Sequence, residues 1–388
     1  MDGRRSRVRP PAVALAGYLD PAQNRRHRPQ LSRRVLTEPC SPGGGGTVSQ
    51  TVLPGADVTA AAVDAECATD LRASITIPTY NRRALLLQTL ASLERQSVPP
   101  DRYEVIVTVD GSTDGTAEAL AALRPPYAFR WLVQPNRGAV AAANAAGREA
   151  RHDVLIVLGD DQLASLELVG AHLAAHQRRG VVLVQGDYPL APGHDFSGAS
   201  LAYERARGRA MSSLAAGGQT SWHVWGGNFS IRRLTWIQVG GWDETFRDYG
   251  GEDTDLGLRV AALGIPFVFE PRARTHHLHA VTPLGFSRHA FSEGRAVVRV
   301  ARKHALPLSA FPGSATQGPL DRCLQWGWRR APAVMDKIGR LLTVGLRGAD
   351  RIRVRPTQLA AARLVRRFFR VGGITREQEH GMRADRSP

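Results

Sequence analysis

Between residues 73 and 158 the chain alternates short β-rich apolar runs with segments of helical periodicity, and this alternation limits the fold more than any other feature. Residues 74–78 and 103–109 read as strands, with apolar positions at helical spacing over 84–93 between them. The pattern continues as helix 117–123, strand 129–133, helix 139–150 and strand 154–158. Strands separated by helices predict an α/β fold, with a Rossmann-like, mostly parallel sheet, right-handed crossovers and flanking helices. In such sheets ligands collect beyond the carboxyl ends of the strands. Polar residues stand there: Thr79, Tyr80 and Asn81 after the first strand, Asp110, Gly111 and Ser112 after the second, Gly159, Asp160 and Asp161 after the fourth.

Farther along, a strand over 181–185 precedes a long stretch without regular pattern, followed by strand 228–232, helix 254–263 and strand 267–270. The sheet domain is expected to close near residue 285. Residues 1–70 are rich in Arg and Pro, pass through four consecutive glycines at 43–46 and have the composition of a disordered segment. Residues 286–388 read as a basic helical extension, with helical pattern over 288–304 and mixed apolar and cationic positions over 360–370. The expected division is therefore 1–70, 71–285 and 286–388. With 388 residues, 43% of them hydrophobic, the chain is long enough for one large core domain with flanking segments.

Cys40, Cys67 and Cys323 are odd in number and far apart, which indicates neither a disulfide framework nor a zinc finger. The sequence shows no run near the ~18 apolar residues of a membrane span and no secretory signal pattern, so a cytoplasmic protein is expected. A formal net charge of +16 calls for an anionic partner: nucleic acid, a membrane surface or a phosphorylated substrate. The arginines concentrate in the N-terminal 34 residues and between 322 and 376, outside the sheet domain.

The chemistry-bearing residues are acidic. Asp160 and Asp161 leave the apolar strand 154–158 together, and hard cations such as Mg²⁺ or Mn²⁺ take such oxygen ligands while keeping positions open for phosphate. Glu252 and Asp253 follow Gly250 and Gly251 at the start of a helix. Turn and helix-cap chemistry is the alternative for each pair, and Asp255 is expected to serve its helix or an arginine.

Four stretches in order carry a family resemblance: Ile77-Pro-Thr-Tyr-Asn-Arg82, Val109-Asp-Gly-Ser-Thr-Asp-Gly-Thr116, Leu158-Gly-Asp-Asp161 and Tyr249-Gly-Gly-Glu-Asp-Thr-Asp-Leu256. Over residues 73–285 the chain resembles inverting family 2 glycosyltransferases of the GT-A fold. The resemblance implies that Pro78, Tyr80, Asn81, Asp110 and Asp160 hold the donor nucleotide. It implies a divalent cation, Mn²⁺ or Mg²⁺, on Asp161. Gly159 stands where the family usually has the first Asp of its Asp-x-Asp motif, so the division between Asp160, on the ribose or behind the metal, and Asp161 stays open.

The same resemblance makes Asp253 the general base that takes the acceptor proton, with Glu252 orienting the acceptor. Trp225 and Asn228 fall in the segment between donor and base and are assigned to the acceptor, whereas Trp242 is expected in the core. A histidine after the base often completes the metal site; among His276, His277 and His279 the first choice is His277. The implied reaction is direct displacement of a nucleoside diphosphate by an acceptor hydroxyl with inversion, in polysaccharide, glycolipid or glycosylated-metabolite synthesis.

A nucleotidyltransferase would also use a nucleotide pocket and a carboxylate-bound cation, but its Gly-rich triphosphate loop is missing from residues 77–82. A non-catalytic sugar-nucleotide or glycan-binding module is a second alternative, against which the retention of both Asp161 and Asp253 counts. No nucleic-acid-binding module is recognised. The C-terminal tract interleaves Trp326, Trp328, Phe368 and Phe369 with arginines, which suggests peripheral attachment to an anionic membrane surface on its inner face. Donor base, sugar, acceptor, linkage and oligomeric state are not readable.

Overall fold

The chain divides into Met1–Glu66 and Cys67–Pro388. The computed structural model describes residues 70–193, 197–216, 224–278, 281–311 and 318–384, all in the second unit. The expectation for residues 1–70 lies almost wholly outside the described residues, as do Cys40, Cys67 and His279.

The anticipated alternation forms: β1 (Ala73–Thr79), α1 (Arg83–Leu93), β2 (Tyr103–Asp110), α2 (Thr116–Ala122), β3 (Ala128–Gln134), α3 (Ala139–Glu149) and β4 (Val154–Leu158). It is followed by β5 (Gln162–Ala164), α4 (Leu168–Arg179), β6 (Leu183–Asp187), α5 (Gly198–Ala215), β7 (Asn228–Arg232), α6 (Arg233–Val239), α7 (Glu252–Ala262) and β8 (Phe267–His277). Four further helices are described, α8 (Pro283–Lys303), α9 (Pro319–Arg330), α10 (Pro332–Ile352) and α11 (Arg355–Ala384).

The strands make one sheet in the order β3-β2-β1-β4-β7-β6-β8-β5. The first four pair in parallel, as does β6 with β8, while β7 runs antiparallel between β4 and β6 and β5 runs antiparallel to β8. Both faces are covered. Val105, Val107 and Val109 enter one core with Ile75, Ile156 and Leu90, while Ile106, Leu155 and Val157 enter the other with Phe229, Trp236 and Trp242. A strand buried on both sides needs no polar alternation, which is why these runs read as almost continuously apolar.

Two features differ from the sequence reading. The irregular stretch after β6 contains the 18-residue helix α5, whose Gly, Ser and Ala content gives little apolar periodicity; its Ser197 cap accepts from Ser200 N–H. And β8 does not stop at residue 270 but continues to His277, because β6 and then β5 give it successive pairing partners.

The C-terminal helices pack together and onto the sheet domain. Val300 and Ala301 of α8 bury against Phe246 and Leu258. Helices α8 and α11 approach closely at Gly294 and Gly373, where an added Cβ would fall on the backbone of the opposite helix. Trp328 and Phe368 lie inside this bundle with Met335, and Phe369 packs against them. The expectation that these three aromatics meet a membrane is therefore corrected: they are the core that α9, α10 and α11 share. Trp326 is exposed.

Candidate active site

The loops after β1, β2 and β4 are stitched to one another. Asn81, in the left-handed region at φ 51°, donates its N–H to Ser112 Oγ at 3.0 Å and accepts Thr113 N–H on Oδ1 at 2.8 Å. Tyr80 projects from this lip, about half exposed. Asp110 at the end of β2 is almost fully buried. Its Oδ1 accepts from Gln134 Nε2 at 2.7 Å and Arg137 N–H at 2.9 Å, and its Oδ2 from Gly138 N–H at 2.8 Å. Three of a carboxylate's roughly four acceptor positions are thus spent on the loop before α3, so Asp110 shapes the pocket more than it faces a ligand.

The acidic pair after β4 is held by an arginine that the sequence reading quoted but gave no role. Arg82 donates from Nη1 to Asp160 Oδ1 at 2.8 Å and from Nη2 to Asp161 Oδ2 at 2.6 Å. Asp160 Oδ2 also accepts from Thr79 Oγ1 at 2.8 Å. Burial pushes the Asp160 carboxyl up, and the neighbouring Asp161 adds to this against the pull of Arg82, leaving it at about 6. Burial acts on Asp161 in the same direction, but His277 and Arg82 outweigh it and hold that carboxyl well below the usual range. Asp160 thus shares Arg82 with Asp161 and is tied to the end of β1 through Thr79. Gly159 has a local reason: an added Cβ would lie 3.1 Å from Asp161 Oδ1.

Antiparallel pairing of β5 with β8 sets Gln162 opposite His277 and so brings that histidine beside Asp161. Its Nε2 is 3.2 Å from Asp161 Oδ2. His276, one residue earlier in the strand, takes the opposite face and is not part of this pair. His277 Nδ1 is 3.1 Å from Tyr203 Oη, whose proton goes to the Tyr188 carbonyl at 3.2 Å. With its Nδ1 proton given to this Oη, the imidazole can present Nε2 to a cation in place of its contact with Asp161.

A carboxylate and an imidazole are ligand types that a divalent metal takes, and Arg82 shares the same carboxylate oxygen. Among the described residues no group of three or more His, Cys, Asp or Glu side chains is placed to hold a metal ion.

An aromatic wall leads from His277 through Tyr188 and Tyr203 to Trp225, with ring centroids 5.4–6.0 Å apart. The Trp225 backbone is clamped by Gln185, and its indole Nε1 is buried without a partner among the described residues. The next residue, Gly226, donates its N–H to Asp253 Oδ2 at 3.0 Å. Asp253 and Glu252 open α7 after Gly250 and Gly251, both with positive φ, and an added Cβ on Gly251 would strike Phe246 and Ala296. Burial first, then the charge of Glu252, pushes the Asp253 carboxyl well above its usual range. Glu252 is raised by burial and by Glu293, and its Oε2 has no partner among the described residues.

Asn228 does not reach the cleft, which corrects its assignment to the acceptor. It is fully buried, donating to the carbonyls of Asp187 at 3.2 Å and Ala273 at 2.9 Å and accepting His172 Nε2–H at 2.9 Å. It pins β6, β7, β8 and α4 together. Asp255 accepts from Arg259 Nε at 2.9 Å and binds His304 and Lys303, tying α7 to α8, and Trp242 is core, both as expected. Arg82 was within reach of the sequence reading because it closes the Ile77 to Arg82 motif. Tyr203 gave no signal, since it lies on α5, whose pattern is weak.

Residues 74–234 match the model of glycosyl transferase family 2, and residues 211–281 match one described as the N-terminal domain of galactosyltransferase. A validoxylamine A glucosyltransferase of Streptomyces hygroscopicus subsp. limoneus is 31% identical over 242 residues, 52% of either chain. The hyaluronan synthase of Pasteurella multocida is 26% identical over 49% of this chain and 23% of its own. The chain spans about half the length of the first of these relatives, or less. In fold it is similar to a mannosyltransferase of Pyrobaculum calidifontis solved with GDP-mannose and Mn²⁺, with TM-score 0.54 at 19% identity over 77% of this chain and 87% of the other.

Proposed function

We propose that this chain, which belongs to glycosyl transferase family 2 through residues 74–234, transfers a sugar with inversion from a nucleotide-diphosphate donor to an acceptor hydroxyl. The observation that carries the reading is the pairing of two opposed electrostatic sites on one aromatic wall. At one end Asp161 and His277 present a cation-seeking pair; at the other Asp253 is a carboxylate whose proton affinity is raised. Residues 71–285 form the catalytic part and 286–388 a helical extension.

Asp161 and His277 are the residues that would hold Mn²⁺ or Mg²⁺, which would supply positive charge for the diphosphate leaving group. Pro78, Tyr80, Asn81 and Asp110 form the nucleotide side of the cleft, with Asp160 setting Arg82 behind the metal ligand. Asp253 accepts the acceptor proton on its carboxylate, and its raised proton affinity brings it nearer to a useful base strength at neutral pH, a contribution of typically ~10²–10⁴-fold. Gly226 N–H fixes the rotation of that carboxylate. Glu252 and the indole N–H of Trp225 are left to orient the acceptor, which is a glycan, a lipid-linked sugar or a small hydroxylated molecule. An anionic membrane surface is the partner proposed for the basic C-terminal helices.

The test is release of nucleoside diphosphate from UDP-, GDP- and dTDP-sugars with Mn²⁺, for wild type, Asp161→Ala and Asp253→Asn. Metal-dependent release lost in both variants is expected. Donor binding without turnover across an acceptor panel would favour a binding module, and no binding at all would end the transferase reading.

A further inference from the structure

Helix α10 buries one side in the C-terminal bundle through Met335, Gly339, Thr343, Leu346 and Ala349. Its other side carries large apolar residues in the open: Val334, Ile338, Leu341, Val344 and Ile352, with Leu341 71% exposed. At 100° per residue, positions 334, 338, 341, 345 and 352 lie along one stripe. Cβ atoms added at Gly345 and Gly348 would meet nothing among the described residues, so no described element covers the stripe. Beside it, between α10 and α11, lies a groove of about 380 Å³ lined by Leu341, Leu342, Ala361, Leu364 and Val365 among others.

The charges sort in the same way. Arginines that link the helices of the bundle are paired: Arg366 with Glu293 at 3.0 Å, Arg367 with Asp321 at 2.7 Å, Arg295 and Arg299 with Glu377 at 2.9 Å. Lys337, Arg340, Arg347 and Arg351, exposed along one flank of the stripe, form no ion pair among the described residues. Asp336 is exposed on the same helix, whereas Asp350 is turned inward onto Gly198 N–H.

We propose that this face of α10, with the adjoining edge of α11, docks flat on an anionic lipid bilayer. The proposal deepens the membrane-partner part of the preceding reading and is independent of the transferase part. An apolar stripe flanked by unpaired cations is what a helix lying in the headgroup region requires: side chains enter the acyl boundary while the cations meet lipid phosphates and carboxylates. No helix among the described residues is long and apolar enough to cross a membrane. A second copy packed antiparallel on α10 about a two-fold axis would oppose two sets of like charges. A nucleic acid would use the cations and leave the stripe wet, with no aromatic on it for a base to stack on.

The experiment is sedimentation of the full chain with vesicles of phosphatidylserine and phosphatidylcholine, or of phosphatidylcholine alone. The proteins are wild type, Leu341→Glu, and Arg340→Gln with Arg347→Gln, each checked by its thermal melt and by donor turnover in vesicle-free buffer. Binding to the anionic vesicles only is expected, falling tenfold or more in Leu341→Glu, and falling in the double variant and at high salt, with melts and turnover unchanged. No binding of wild type overturns the proposal. So does unchanged binding of Leu341→Glu, which would put the contact elsewhere, and so does a wild-type dimer that Leu341→Glu dissociates. Absence of turnover in wild type, with vesicle binding intact, counts against the transferase reading and leaves this surface standing.

Discussion

Gly226→Ala tests the placement of the proposed base without touching its chemistry. Gly226 is not among the positive-φ glycines, so alanine suits its backbone. The added Cβ would lie 3.0 Å from the Asp253 Cγ and closer still to Oδ1. Carbon atoms settle at about 3.5–4.0 Å, so the carboxylate must move by roughly 0.5–1 Å and lose its hydrogen bond from the residue 226 N–H. A misplacement of ~1 Å at a reacting group costs on the order of 10²-fold, or ~2.7 kcal/mol of transition-state stabilisation. The same substitution reduces unfolded-state entropy by ~0.4–1 kcal/mol, which offsets part of the local strain, so the melt should stay within a few degrees. The assay is kcat for nucleoside diphosphate release at saturating donor and acceptor, beside differential scanning fluorimetry. A kcat within threefold of wild type, in a variant that folds normally, would refute Asp253 as the base held by Gly226. A collapsed melt would refute the idea that the strain is local.

Asp253→Asn should be more stable than wild type at pH 8 and equal to it near pH 4. The folded carboxyl lies above its unfolded value, so its stabilising contribution is complete below about pH 4 and is lost as pH rises through the raised value; melts of the pair at both pH values decide this, and a variant no more stable at pH 8 contradicts it. Tyr203→Phe removes the acceptor for His277 Nδ1–H, and an isothermal Mn²⁺ titration should show affinity reduced by about 10–100-fold. Unchanged affinity would show that the tyrosine does not set the imidazole. Asn228→Ala leaves two backbone carbonyls and a buried histidine short of partners, and should cost about 2–5 kcal/mol in urea unfolding. A rise in acceptor KM with stability intact would instead restore the acceptor role denied to Asn228 here.

Strand and helix periods are local, and the sequence alone determined the parallel half of the sheet and placed the loops and carboxylates of the candidate site at its strand ends and helix start. The runs from Ala73 to Leu158 could be read because strands buried on both faces are apolar at nearly every position, and Asp253 because the stretch from Tyr249 to Leu256 resembles a family motif. Tertiary structure decided everything that depends on who meets whom. His277 was distinguished from His276 only by the β5–β8 register, and Asn228 left the cleft because three elements use its amide. Arg82 reaches Asp160 and Asp161 across nearly 80 residues, and Tyr203 sits on a helix with too little apolar contrast to announce itself. The same holds at the C terminus: composition marked Trp328 and Phe368 as candidates for a membrane, but bundle packing buried them and left Leu341 outside. A side chain's chemistry is written in its own residue, whereas its direction and partners follow from packing between segments that are distant along the chain.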